Sequence, residues 1–204
     1  MGGTSDAGPP RHPIPREWRR TPRDPPTGQV HPAARRLVPA QAYAWNGYDR
    51  ASPTMAGLWF EQFEMNRVFE HELRRTLLES DNMWFSNATM NPAAIHIDAE
   101  YCKGTEFGKP LMNSIFTLGL VIGLSVQDTT LGTTIANLGM TDVKFSAPVF
   151  AGDTIHARTT VLDLRESKSR PNAGIVTFLH QGFNQRDIEI ATCKRQALML
   201  RKPA

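Results

Sequence analysis

One histidine stands in an otherwise apolar run, Asn91-Pro92-Ala93-Ala94-Ile95-His96-Ile97-Asp98, and a Gly/Pro break follows it at Phe107-Gly108-Lys109-Pro110. The break releases directly into Leu111-Met112-Asn113-Ser114 and a long hydrophobic segment. An imidazole exchanges protons near neutral pH, which suits His96 to general acid-base work. A lone histidine among apolar neighbours is also found as a satisfied core residue, and the run alone leaves both readings open. Asn91 can orient a water or the histidine through its amide, yet it cannot take a proton; before Pro92 it is equally an ordinary turn former. Asn113 and Ser114 fall where the hydrophobic segment opens. The first turn of a helix presents N–H groups without intrahelical partners and the positive end of the helix dipole. The Ser114 amide, with Asn113 beside it, is therefore a candidate for stabilising a developing oxyanion, although Asn-Ser is also a plain cap.

Other chemistry-bearing residues are weaker candidates. Arg170, in the polar loop Ser169-Arg170-Pro171, could meet a carboxylate or phosphate with its two-pronged guanidinium, but a solvated loop arginine is the commoner case. Lys144 reads as strand surface. Asp81 is a carboxylate on a partly apolar helix side, and Asp98 has the position of a helix N-cap. Cys102 and Cys193 are the two cysteines; neither belongs to a CxxC or Cys/His spacing, so neither a disulfide framework nor a metal site is expected, and both read as ordinary thiols of a reducing compartment.

These residues need elements to hold them. From residue 57 aromatics alternate with acids, and Val68-Phe69-Glu70-His71-Glu72-Leu73 alternates as a half-buried strand would, with His71 facing solvent. A helix is expected over 77–88, capped by Thr76 with Glu79 completing a capping box, its face formed by Leu77, Asp81, Trp84 and Phe85. A short helix follows from Asp98. The segment 111–126 is apolar nearly all round and reads as a helix wrapped by protein, with Gly119, Gly123 and Ser125 allowing a sheet to approach. After a polar turn at 127–130 the period changes to two. Strands are expected over 136–145, with a bulge at Gly139, then over 155–165, 174–184 and 188–200, with a tight turn at Gly152-Asp153. Long C-terminal strands after one buried helix imply an α+β fold, an antiparallel sheet of about five strands curled round that helix.

The chain has 204 residues and a formal charge of +3. Residues 1–54 are rich in Pro and Arg with no apolar period, and read as a disordered extension before one domain at 55–204. Either a transit segment or a start at Met55 would fit that composition. No Lys/Arg run is interleaved with aromatics, so nucleic acid is not an expected partner. No stretch approaches the roughly twenty apolar residues of a membrane span, and a soluble, cytoplasmic protein is expected, or one of an organelle matrix if the extension is a transit segment.

The order of a histidine segment, a Gly/Pro break, an apolar helix and then Val143-Lys144-Phe145-Ser146-Ala147-Pro148-Val149-Phe150-Ala151-Gly152-Asp153-Thr154 resembles the MaoC-like dehydratase family, which has the hot-dog fold. The resemblance covers about residues 58–201. In the family's R-specific enoyl-CoA hydratases the motif is Gly-Asp-x-Asn-Pro-Leu/Ile-His, whose Asp and His activate water. Counted back from His96, the Asp position is Asn91, and matched on the Asn-Pro pair it is Thr89. Either way the paired carboxylate is missing, with Asp81, Asp98 or the substrate's own second carboxylate as candidates to replace it, and the family's His-Gly before the central helix is Asn113-Ser114. Met-Asn-(five residues)-His-x-Asp, Gly-Thr-Glu-Phe-Gly-x-Pro-Leu-x-Asn-Ser and Ser-Val-Gln-Asp-Thr-Thr-Leu-Gly-Thr-Thr resemble the branch of mesaconyl-CoA hydratase and β-methylmalyl-CoA dehydratase. The resemblance implies hydration or dehydration of a short branched, dicarboxylic enoyl-CoA of the mesaconyl or itaconyl type. His96, Asn91 and Ser114 would be catalytic and Asn113 and Arg170 substrate-binding. It implies no cofactor beyond the coenzyme A of the substrate, and a homodimer or larger homo-oligomer with the site at the subunit interface. A thioesterase or a non-catalytic acyl-CoA-binding homologue remains as an alternative.

Overall fold

The computed structural model describes residues 57–203; the expectations for residues 1–54 and for Met55 lie outside them. Six strands run in chain order: β1 (Val68–Glu70), β2 (Arg75–Thr76), β3 (Thr134–Lys144), β4 (Thr154–Glu166), β5 (Ala173–Phe183) and β6 (Glu189–Leu200). They form an antiparallel sheet in the order β1-β4-β5-β6-β3, with β2 also paired to β4. Among the described residues four α-helices accompany it, α1 (Glu79–Ala88), α2 (Ala94–Ile97), α3 (Ala99–Cys102) and α4 (Ser114–Thr129), with a 3-10 turn at Phe60–Gln62. This is the α+β arrangement that period-two segments after a hydrophobic helix imply, and β3 carries its register shift between Asn137 and Gly139 as expected.

One face of the sheet holds the core. Ile155, Ala157, Thr159 and Val161 of β4, Val176, Phe178 and His180 of β5, and Cys193, Arg195, Ala197 and Met199 of β6 are all buried. The apolar members form two lobes. One gathers Leu77, Met112, Val121, Leu124, Val149, Ile155 and Ile190; the other gathers Phe63, Val161, Val176, Phe178, Ala197 and Met199. Between them runs a buried polar seam. Arg195 Nε donates to His180 Nε2 at 3.1 Å, and His180 Nδ1 lies 2.9 Å from Thr159 Oγ1. Thr159 Oγ1 lies 2.8 Å from His71 Nε2, and His71 Nδ1 is 2.7 Å from Asp128 Oδ2. A buried polar group must find partners or lose roughly 1–3 kcal/mol; this chain of contacts supplies them to both imidazoles, the Thr159 hydroxyl and Arg195 Nε, while Arg195 Nη2 has none among the described residues.

Several sequence expectations change. His71 does not face solvent: it is 5% exposed, because the segment after β1 turns inward to reach Asp128 and Thr159. The helix expected over 77–88 begins at Glu79, since Thr76 is occupied as a strand residue of β2 and Asp81, not Glu79, accepts the Leu78 N–H at 3.0 Å. Trp84 is 69% exposed, and α1 buries Asn82 and Ser86 instead. The hydrophobic helix begins at Ser114 and runs on through the residues read as a turn, to Thr129. It is not wrapped on every side. Ile115 is 58% exposed, and a Cβ on Gly119 or Gly123 would meet nothing within 4 Å. The close approach is made from the sheet: a Cβ on Gly182 of β5 would lie 2.3 Å from Val121 Cγ2. Of the three small helix residues only Ser125 is buried.

Candidate active site

His96 lies on α2, a single turn that local hydrogen bonding alone cannot hold in water. It is tied down from outside. Ile95 O accepts the Leu111 N–H at 3.0 Å, and His96 Nδ1 lies 2.8 Å from Leu111 O. A carbonyl only accepts, so this contact puts the proton on Nδ1 and leaves the Nε2 lone pair as the free position of a neutral ring. The half-buried ring is thereby poised as a base.

The leading turn of α4 lies close by in the chain. Asn113 is buried and serves as its N-cap, with Oδ1 accepting the Ile115 N–H at 3.0 Å. Among the described residues the Ser114 N–H has no hydrogen-bond acceptor, so it is an orphan donor of the helix's positive end, as is the Phe116 N–H. Ser114 lines a cavity of about 250 Å³ with Leu111, Met112, Phe107, Phe145 and Val149. Two sequence segments, 107–117 and 145–149, thus form the walls of one mostly apolar chamber together with Ile190 of β6. The cavity reaches the carbonyl-bearing residue that orients His96, although the ring itself is not part of its wall.

Asn91 has a different employment. Its Oδ1 accepts the Ala93 N–H at 3.1 Å, which is the local turn bond that Asn favours before Pro, and none of the described hydrogen bonds joins it to His96. Arg170 is exposed on the loop between β4 and β5. That loop adjoins Ala173, whereas the cavity adjoins Ile190, which follows the far end of β5. The ten residues from Ala173 to Gly182 span roughly 30 Å at strand rise, so a single chain does not bring Arg170 to the cavity. The two other carboxylates are taken: Asp81 pairs with Arg75 at 2.6 Å, and Asp98 caps α3 by accepting the Tyr101 N–H at 2.9 Å.

A residue without a sequence signal joins these parts. Asn82 of α1 is 2% exposed. Its Nδ2 donates to His96 O at 2.7 Å and to Leu111 O at 3.0 Å, and its Oδ1 accepts the Asn113 N–H at 2.8 Å. An apolar-face reading of α1 passes over it, because the buried side of that helix is amide and hydroxyl.

Known proteins share this architecture. A solved Archaeoglobus structure described as a monoamine oxidase regulatory protein is 30% identical, with a TM-score of 0.65, and covers 74% of this chain and 99% of that one. The MaoC-like dehydratase of Rhodospirillum rubrum is 26% identical, with a TM-score of 0.64, covering 72% and 100% respectively. Among curated relatives, mesaconyl-CoA hydratase of Cereibacter sphaeroides is 28% identical over 73% of this chain and 43% of its own length. Beta-methylmalyl-CoA dehydratase of Chloroflexus aurantiacus is 28% identical over 67% and 38%. The chain spans less than half the length of these two curated relatives. The family model described as MaoC like domain matches residues 60–182, a stretch holding His96, the whole of α4 and every cavity-lining residue except Ile190, and the chain therefore belongs to the MaoC-like domain family, with the hot-dog fold.

Proposed function

We propose that this chain is a hydro-lyase that adds water reversibly across the double bond of an enoyl-CoA. The observation that carries this reading is the pairing of an imidazole committed through Nδ1 to Leu111 O with a cavity headed by the unpartnered Ser114 N–H. In the hydration direction His96 Nε2 takes a proton from water as the oxygen attacks the β-carbon. The thioester carbonyl gains charge as an enolate, against the Ser114 N–H and the positive end of α4. The imidazolium then returns its proton to the α-carbon, so atoms and charge balance with one base and no second carboxylate.

The substrate proposed is a short, branched dicarboxylic acyl thioester of the mesaconyl or itaconyl type. The two curated relatives described above support this, as does a cation near the chamber. Lys109 Nζ lies 4.4 Å from the Phe150 ring centroid, and Phe150 packs 6.3 Å from Phe107 of the cavity wall. We also propose that two copies pair through β3. That edge strand has one neighbour, β6, and exposes Leu138, Met140 and Val143, with Phe145 just beyond its end. An uncovered apolar edge favours pairing.

The test is turnover on crotonyl-, mesaconyl- and itaconyl-CoA, following the conjugated thioester absorbance together with free thiol. Loss of the alkene without thiol release supports hydration; thiol release means a thioesterase. His96→Ala should lower kcat by about 10²–10⁴-fold, and unchanged turnover in that variant removes His96 from the mechanism.

A further inference from the structure

We infer that Asn82 is the positioning residue of this site, the single side chain that fixes the base and the oxyanion donor relative to each other. It belongs to neither of the segments it joins. Its three partners are the His96 carbonyl on α2, the Leu111 carbonyl that orients the His96 ring, and the Asn113 N–H at the head of α4. The first two locate the base, and the third locates the peptide immediately before the Ser114 N–H.

The chemistry of the side chain matches this set closely. Two carbonyl oxygens face Nδ2, which has two hydrogens to give, and one N–H faces Oδ1, which can accept. Aspartate would keep the Asn113 contact but point a negative oxygen at two carbonyls. Serine or threonine has one hydrogen for two acceptors, and glutamine places its amide one carbon further out. The position is buried, so water cannot readily substitute for a lost partner.

The geometry of Leu111 O makes the coupling direct. This one oxygen accepts from Asn82 Nδ2 at 3.0 Å and lies 2.8 Å from His96 Nδ1, and its two lone pairs are then both engaged. Moving Asn82 therefore moves the atom against which the imidazole is set. Other ties hold α2 in place, including Leu111 N–H to Ile95 O and the Cys102 thiol to the same carbonyl at 3.4 Å. None of them reaches α4. Asn82 alone among the described hydrogen bonds links the histidine turn to the helix head, and a misplacement of about 1 Å between reacting groups can cost on the order of 10²-fold in rate.

The catalytic consequence rests on the hydratase reading above, whereas the positioning itself does not, and the experiment separates them. Asn82→Asp and Asn82→Ser are made in the full chain and compared with wild type by steady-state kinetics on the enoyl-CoA panel, by thermal melting and by ¹⁵N-histidine NMR. His96→Gln assigns the ring signals. Wild-type His96 should show the Nδ1–H tautomer, and both variants should move toward the free-imidazole mixture, with kcat lower by about 10–100-fold and KM within about twofold. Wild-type tautomer and wild-type kcat in a folded Asn82→Asp or Asn82→Ser protein overturn the inference. So does a loss of kcat that follows melting temperature while the tautomer stays fixed. If wild type turns over none of the panel but the variants still disturb the tautomer, the hydratase reading fails and the positioning role stands.

Discussion

His180 should make this protein lose stability in mild acid, and the size of the loss follows from its surroundings. The ring is fully buried. Arg195 Nε can only donate, so His180 Nε2 is an acceptor, and Nδ1 gives its proton to Thr159 Oγ1. Burial, then the charges of Arg195 and His71, push its pKa from 6.5 down to about 3. Well above pH 6.5 the ring is neutral whether the chain is folded or unfolded, and it contributes no pH dependence. Below that value the unfolded ring takes a proton that the folded one refuses, so stability falls as pH falls, and levels off only near pH 3. At about 1.36 kcal/mol per pH unit the loss reaches about 2 kcal/mol by pH 5. His180→Gln keeps a donor and an acceptor but removes the titration. Urea unfolding of both proteins at pH 8, 7, 6 and 5 should give curves whose difference changes by about 2 kcal/mol between pH 7 and pH 5. Carboxylates, and His156 with its lowered pKa, act alike in both proteins and cancel. Parallel pH profiles for wild type and variant would refute the reasoning.

Ser114→Pro removes the proposed oxyanion N–H at a position where proline is tolerated, because the first helical residue needs no intrahelical donor and Asn113 already has an extended ψ of 125°. Kcat should drop by about 10²–10³-fold with an unchanged melting temperature; undiminished turnover would place the oxyanion elsewhere. Lys109→Ala should raise KM for mesaconyl-CoA several-fold and leave crotonyl-CoA unaffected, and an equal effect on both would take Lys109 out of carboxylate recognition. Gly182→Ala should destabilise by about 1–3 kcal/mol, since its Cβ would collide with Val121 in a packed layer. Gly119→Ala, facing open space on the same helix that carries Val121, should instead stabilise by about 0.5–1 kcal/mol. Chemical denaturation checks both, and the same sign for both would contradict the assignment of the two helix faces.

The sheet was legible because alternation along β4 to β6 is nearly uninterrupted, and the turn at Gly152-Asp153 announces itself by residue type. Gly152 does hold a φ of 93°. The histidine segment was legible as a motif. The seam was not, because Thr159, His180 and Arg195 occupy alternating inward positions in strands otherwise lined by Val, Phe and Ala, and nothing local distinguishes a buried polar residue with partners from a surface one. His71 was misread for the same reason, its charged neighbours along the chain concealing a partner 57 residues away in Asp128. Asn82 escaped because periodicity finds apolar faces, and the inward side of α1 is polar. The open side of α4 was misjudged because an all-apolar helix sequence does not say how much protein is available to cover it.

The central helix carries the site at its head and the seam at its tail. Its 16 residues make a rod of about 24 Å, with Ser114 at the cavity and Asp128 gripping His71 near the other end. A thioester that settles against the head would steady the tail as well, and amide hydrogen exchange should slow around Thr159 and His180, in two strands that do not line the cavity.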